Sequence, residues 1–258
     1  MIYFIRMHNR FYIEEEIGHY LGKEIDLSSI TDHIKAFRKK ADDEIRLYDG
    51  LGNVYSAKII QISKKFTKVK LISKETFSEK KTKINLFLPL ITSHLMDQLL
   101  SRLCEMEISE IFPVVTERSI NLKDGKEIDN KLLKWNKISK GACVLAGKAF
   151  STIINKPVSL KDSFSSAANF DIKLIASPNA KMFLKDYLMS KDFLSKNFSA
   201  GLFIGPEGDF SGQEIKLSGE FGFIPVKLSN YIMSTFVASM YLASNLTCFA
   251  LQGENYAS

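Results

Sequence analysis

The residues best arranged for chemistry lie between Leu202 and Glu214. Leu202, Phe203 and Ile204 form a short apolar run of the kind that becomes a buried strand, and Gly205-Pro206-Glu207-Gly208 forms a tight corner after it. A helix is expected next, opened by a capping box in which Ser211 and Glu214 reciprocally satisfy the first free backbone donors. Strand, glycine-rich corner and capped helix are how α/β sheets build ligand sites at strand carboxyl ends. A purely structural β–α turn carries the same residue types. Metal chemistry has no comparable signal. Cys104, Cys143 and Cys248 are far apart, His8, His19, His33 and His94 are scattered, and no CxxC or HxxxH spacing occurs.

The chain around this stretch has 258 residues, enough for one large domain or two modest ones. A hydrophobic fraction of 45% and a charged fraction of 25% are those of an ordinary globular protein. The net charge of +6, with an isoelectric point near 9.0, suits a phosphate-bearing partner, although Lys-rich solvated faces give the same sum. Three separated cysteines make no disulfide framework and fit a reducing compartment. The apolar run at residues 1–5 is too short for a secretory signal, and no run approaches a membrane span, so a cytoplasmic protein is expected.

Residues 44–50, 54–62 and 67–72 read as consecutive antiparallel strands, with Asp49-Gly50 and Gly52-Asn53 supplying turn chemistry. A short helix fits residues 28–39, with Ile30, Ile34 and Phe37 on one face. Several short strands close together suggest a small barrel of a kind that often binds RNA. The polar stretch 74–83 marks the change to a different rhythm and is the expected domain boundary. Beyond it, 84–90 is a continuous apolar run, as a parallel strand buried on both faces should be. A helix is expected at 93–106 through Leu95, Leu99 and Leu103, a strand at 108–115, and a long helix at 130–149 through Leu133, Trp135 and Ile138. Residues 172–175, 202–204 and 224–228 read as further strands, and 235–251 as a closing helix. This alternation predicts a parallel α/β sheet.

Taken in order, several segments resemble one family. His33-Ile34 with Phe37-Arg38, then Leu47-Tyr48-Asp49-Gly50, resembles its "H-hydrophobic…LR…lfdG" segment. Glu105 and Ile108 with Ile111-Phe112-Pro113 resemble "ELGV…I.P", and Thr116-Glu117-Arg118-Ser119 resembles "sERs". Trp135, Ala142-Cys143 and Gly147-Lys148 fall where the family has "W…AC/EQ.gR", and Ile204 to Gly208 with Glu214 is similar to "IGPEGG-(f/l)S..E". The series is similar to the ribosomal RNA small subunit methyltransferase E family of the SPOUT superfamily, over nearly the whole chain.

The resemblance implies an α/β protein with an N-terminal PUA-like or OB-like β-barrel and a C-terminal SPOUT domain closed by a trefoil knot. Residues 1–73 would be the RNA-binding barrel and 82–258 the methyltransferase domain. It further implies a homodimer using S-adenosylmethionine to methylate N3 of a uridine in 16S rRNA of the small ribosomal subunit, with no metal and no membrane partner. The implied cofactor site comprises Ser177, Pro178, Ile204, Gly205, Pro206, Glu207, Gly208, Leu228, Ser229, Ile232 and Met233. Ser177-Pro178 equally fits an ordinary turn, and Ile204, Leu228 and Ile232 fit plain core. Arg118, Lys148 and Ser234 occupy the positions implied for catalysis, and His33, Arg38 and Arg118 those for RNA contact. A surface ion pair is the plain alternative for Arg118, and a solvated helix face for His33 and Arg38.

Departures gather where the chemistry belongs. The last family motif, "LG..ILRTETA", is met here by residues 228–238, with Ser229 in place of Gly, Ser234 of Arg and Phe236 of Glu. Val144 and Leu145 replace a Glu-Gln pair, Phe150 an Arg and Leu95 a Lys. N3 of uridine must lose a proton before it accepts a methyl group, and a guanidinium nearby would stabilise the anion. Ser234 cannot, while Lys148 keeps a charge without the bidentate fork. Two rivals follow: a non-catalytic RNA-binding relative that keeps the fold, and a nucleotide-dependent enzyme with an unknotted sheet. The second lacks any GxGxxG or GxxxxGK[ST] stretch.

Overall fold

The computed structural model describes residues 9–121, 124–190 and 197–251, so the apolar run at residues 1–5 lies outside the described residues. The chain divides into two compact units, one reaching to Glu79 and including Lys140–Ser151, the other formed by Lys80–Ser139 and the chain from Thr152 onward. The inclusion of Lys140–Ser151 in the first unit had no signal in the composition.

The first unit is a five-stranded sheet of β1 (Arg10–Tyr12), β2 (Glu24–Leu27), β3 (Glu44–Tyr48), β4 (Asn53–Ile62) and β5 (Thr67–Thr76), with α1 at Thr31–Ala36. Its order is β1-β3-β4-β5-β2, antiparallel except for the parallel β1–β3 pair. The sequence suggests a small barrel; among the described residues no ladder joins β1 to β2, and the sheet forms a half-barrel. Residues alternate inward and outward along β4 and β5, and the inner face packs Ile45, Leu47, Tyr55, Ile59, Val69 and Leu71 against Ile30 and Ile34 beneath α1. The β3–β4 turn is organised by Asp49, whose carboxylate accepts from the Leu51 and Asn53 N–H groups at 2.8 and 3.0 Å. Gly52 has φ +107, and a Cβ there would lie 2.6 Å from the Phe150 ring, so only glycine fits. β5 runs on to Thr76, which places the start of the expected 74–83 boundary inside a strand.

The second unit is an all-parallel sheet. Its strands are β6 (Lys83–Pro89), β7 (Glu110–Val115), β8 (Ile153–Ile154), β9 (Val158–Ser159), β10 (Ile172–Ala176), β11 (Met182–Phe183), β12 (Ser199–Phe203) and β13 (Ile224–Lys227). The order is β11-β13-β10-β12-β6-β7-β8, with β9 also on β7. β6 and β12 are buried on both faces, which explains their unbroken apolar runs. Phe112, Phe87 and Phe203 stand in register on three neighbouring strands. Phe87 stacks on Phe203 at 4.1 Å and on Phe112 at 4.7 Å between ring centroids, fixing β12 beside β6.

Helices α2 (Ser93–Leu103), α3 (Gly125–Ala146), α4 (Leu160–Ser166), α5 (Leu184–Met189), α6 (Gly212–Glu220) and α7 (Thr235–Leu251) connect and cover the strands. The sequence predicts Leu95 on the buried face of α2, but the face that packs is Met96, Leu99, Leu100 and Leu103, one residue on, and Leu95 is exposed. Leu133 is likewise exposed on α3, where Trp135 supplies the buried contact. That helix begins earlier than the apolar pattern suggests because Asp124 accepts the Glu127 N–H at 2.8 Å, and it stops at Gly147, which has φ +73. Among the described residues no helix is long and apolar enough to cross a membrane.

Candidate functional site: a cleft at three strand ends

β10, β12 and β13 end together, because β10 lies between the other two in the sheet. The chain leaving them forms the walls of an open cleft. Ala176, Ser177 and Pro178 follow β10, Ile204 to Glu207 with Asp209 follow β12, and Leu228, Ser229, Tyr231, Ile232 and Met233 follow β13. Thr235 and Ala238 of α7 complete the lining. Ten of the expected cofactor residues therefore meet at one cleft: Ser177, Pro178, Ile204, Gly205, Pro206, Glu207, Leu228, Ser229, Ile232 and Met233. Gly208 stands outside the lining, against Arg118.

Local bonding explains the shape. The corner after β12 closes with the Asp209 N–H donating to the Pro206 carbonyl at 2.8 Å. A Cβ on Gly205 would lie 3.1 Å from Asp209 Oδ1 and 3.3 Å from the Phe210 nitrogen, so glycine permits the close approach. The capping box of α6 forms as its sequence predicts: Ser211 N–H donates to Glu214 Oε2 at 2.8 Å, and Glu214 N–H to Ser211 Oγ at 3.3 Å. Glu214 has a further role that no sequence pattern announced. Its other carboxylate oxygen accepts the Glu117 N–H at 2.8 Å, tying the loop after β7 to the corner.

In that loop, Arg118 Nη1 donates to the Gly208 carbonyl at 2.6 Å, leaving an exposed guanidinium with donors to spare. Thr235, buried at the start of α7, donates from Oγ1 to the Gly205 carbonyl at 2.9 Å and so pins the helix to the corner. Thr235 and Ala238, like Leu228 and Ile232, keep the letters of the compared motif, and that retention was the signal that could have found them. Ser234 is exposed and does not line the cleft; its Oγ accepts the Val237 N–H at 3.3 Å and caps α7. Ser229 Oγ accepts the Tyr231 N–H at 3.0 Å, a local turn bond.

The remaining expected residues belong to the first unit. Lys148 is half-buried just after α3, its carbonyl accepting from Cys143 Sγ at 2.9 Å. His33 and Arg38 are exposed at α1. Arg38 has φ +54 and closes a Schellman end, with Arg38 N–H on the Lys35 carbonyl and Lys39 N–H on that of Ile34.

Electrostatically the cleft is one-sided. Glu207 and Asp209 are carboxylates, and no Lys, Arg or His is among the described residues that line it. Burial raises the Asp209 carboxyl above the usual range, opposed by the Phe210 N–H and the nearby Arg118 charge and reinforced by Glu214. An apolar wall of Ile204, Leu228, Ile232 and Met233, backbone polar groups and two carboxylates suit an organic ligand with cationic character.

A family model for an RNA methyltransferase domain matches residues 78–247, and one for an RNA methyltransferase PUA domain matches residues 31–72. Ribosomal RNA small subunit methyltransferase E of Buchnera aphidicola is 26% identical over 234 residues, covering 90% of this chain and 89% of its own. Its counterpart from Aquifex aeolicus is 26% identical over 248 residues, covering 93% and 99%. A Legionella pneumophila methyltransferase solved in complex with the cofactor S-adenosylmethionine is 25% identical, with a TM-score of 0.83 over 93% of this chain and 97% of that one. The small subunit methyltransferase E of Neisseria gonorrhoeae shares the fold at 24% identity, with a TM-score of 0.79 over 93% and 97%.

Proposed function

This chain belongs to the RNA methyltransferase family, in its ribosomal RNA small subunit methyltransferase E branch, and on that premise we propose that it methylates N3 of a uridine in 16S rRNA of the small ribosomal subunit. The observation that carries the proposal is the cleft where β10, β12 and β13 end, apolar on one wall and acidic, never basic, among its lining residues. S-adenosylmethionine fits these residues: its adenosine has apolar and backbone surfaces to meet, and its sulfonium and ammonium charges are of the sign that Glu207 and Asp209 attract. A nucleotide triphosphate would meet repulsion from the same carboxylates, which counts against the nucleotide-dependent rival.

When bound, S-adenosylmethionine supplies an electrophilic methyl group on a sulfonium, whose sulfur keeps the bonding electron pair after transfer. The residues of the chain hold and orient. Ser177, Pro178, Ile204 to Glu207, Leu228, Ser229, Ile232 and Met233 form the cofactor site, and alignment of donor and base supplies most of the rate. The uridine N3 proton must leave to solvent water, and the anion that remains needs a cation close by. Arg118, in the same unit as the cleft, is the cation assigned to this work, with Ser234 at the position where the compared family has Arg; Lys148 is the second cation that the resemblance names.

His33, Arg38 and Arg118 contact RNA, residues 1–73 act as the RNA-binding domain and residues 82–258 as the methyltransferase domain. The C-terminal segment is threaded as a trefoil knot, and the protein works in the cytoplasm. A homodimer is part of the same reading, supported by the exposed Tyr231, Ile232, Val237 and Tyr241 on and beside α7. The test is methyl transfer from labelled S-adenosylmethionine to undermethylated small subunits, with the product nucleoside identified. 3-Methyluridine is expected. RNA binding without any methylated product would give the assignment to the non-catalytic rival.

A further inference from the structure

Asp209 is a half-buried carboxylate at the cofactor corner. Its backbone has φ +60, a region that glycine enters freely and that Asp or Asn tolerates better than other residues, and the compared motif has glycine there. The side chain nonetheless sits in the cleft wall, with Oδ1 lying over Gly205 near enough to leave only 3.1 Å to a Cβ built there. The corner bond from Asp209 to Pro206 uses the backbone N–H alone, so it would survive replacement of the side chain. Burial raises the carboxyl above its usual range, with Glu214 acting in the same sense and the Phe210 N–H and Arg118 opposing it. Of the two carboxylates in the lining, Glu207 is solvent-exposed and weakened by screening, whereas Asp209 is the more shielded and acts more strongly on a ligand.

We propose that the Asp209 carboxylate is the counter-charge for the sulfonium of the methyl donor and makes this cleft prefer S-adenosylmethionine to its neutral thioether product. The inference rests on the cofactor reading above and deepens it. Donor and product share adenosine, ammonium and carboxylate, and differ in one methyl group and one positive charge. A carboxylate facing the sulfonium separates the two, and once the methyl group has left, the attraction is gone and the product dissociates more readily.

The test is titration calorimetry of the full chain with S-adenosylmethionine and with S-adenosylhomocysteine, for the wild type, Asp209→Asn and Asp209→Gly. Both variants are compatible with the left-handed backbone, and circular dichroism checks that each is folded. The expected result is a loss of roughly tenfold in donor affinity in both variants, with product affinity kept within about twofold, the scale of one partly desolvated charge contact. An unchanged donor-to-product ratio in folded variants overturns the role of Asp209 and leaves the cofactor reading standing. An equal loss for both ligands also overturns it, because the carboxylate would then face the shared ammonium. A wild type that binds neither ligand at millimolar concentration overturns the cofactor reading and this inference together.

Discussion

Replacing Ser234 by Arg sets a helix terminus against a catalytic need. In the structure Ser234 caps α7, with Oγ 3.3 Å from the Val237 nitrogen, an exposed and rather long bond. Loss of a cap costs about 0.5–2 kcal/mol, and this geometry belongs at the low end, about 0.5 kcal/mol. A cation at a helix N-terminus adds about 0.3–1 kcal/mol through the macrodipole. Ser234→Arg should therefore destabilise by about 1 kcal/mol and lower Tm by about 2–4 °C, with Ser234→Ala showing the cap component alone. Phe236 lies two residues into the same turn, where Glu would recover part of the dipole loss and hold the new guanidinium.

The catalytic side of the trade is larger. A unit charge about 5 Å from a developing anion is worth about 3 kcal/mol at an effective dielectric near 20. Ser234 is exposed, so screening reduces this to about 1.4 kcal/mol, or roughly tenfold in rate. Single-turnover methyl transfer to undermethylated small subunits should then rise about tenfold in Ser234→Arg and further with Phe236→Glu, while cofactor affinity stays the same. An active wild type with neither variant faster would refute the reasoning, since the missing Arg would not be what limits the reaction.

Three further outcomes are expected. Thr235→Val removes the donor to the Gly205 carbonyl and should cost about 1–2 kcal/mol by urea denaturation and weaken S-adenosylmethionine several-fold; unchanged affinity would mean that this bond does not hold the corner. Arg38→Gly suits φ +54 and should leave stability equal or higher while lowering RNA affinity and its salt dependence, whereas equal affinity at every ionic strength would remove Arg38 from the RNA-contacting face. The Ser199 hydroxyl and N–H donate to Asp171 and hold its carboxyl below the usual range, so their contribution is present above the ordinary carboxylate pKa and lost as pH falls through the lowered one. Asp171 is exposed, so Asp171→Asn should cost less than about 1 kcal/mol at pH 7 and nothing in strong acid; a penalty that persists there would contradict the assignment.

What could be read from the sequence and what could not divide along a physical line. Strands of the parallel sheet announce themselves because burial on two faces demands unbroken apolar runs, and β6 and β10 fall where the pattern puts them. The α6 capping box is a local contract between Ser211 and Glu214, complete within four residues, and so it was legible before any fold was known. Leu95 misled because a helical face shifted by one residue still offers Leu99 and Leu103, and only packing distinguishes the two. Strands of two or three residues, such as β1, β8, β9 and β11, have no period to detect and exist because a neighbour's edge supplies their partners.

The cleft shows the same division. Its glycine corner was readable, but Thr235 on Gly205, Arg118 on Gly208 and Glu214 on Glu117 join residues far apart in sequence. These bonds change what the altered final motif means. With Thr235 pinning α7 to the corner and Ser234 capping the same turn, that segment can keep the cofactor walls in place without the guanidinium found in the compared family. The architecture for binding a methyl donor and the charge for activating the base are thus separable in this chain. The three walls of the cleft remain built, while the cation that transfer requires must come from a residue outside them.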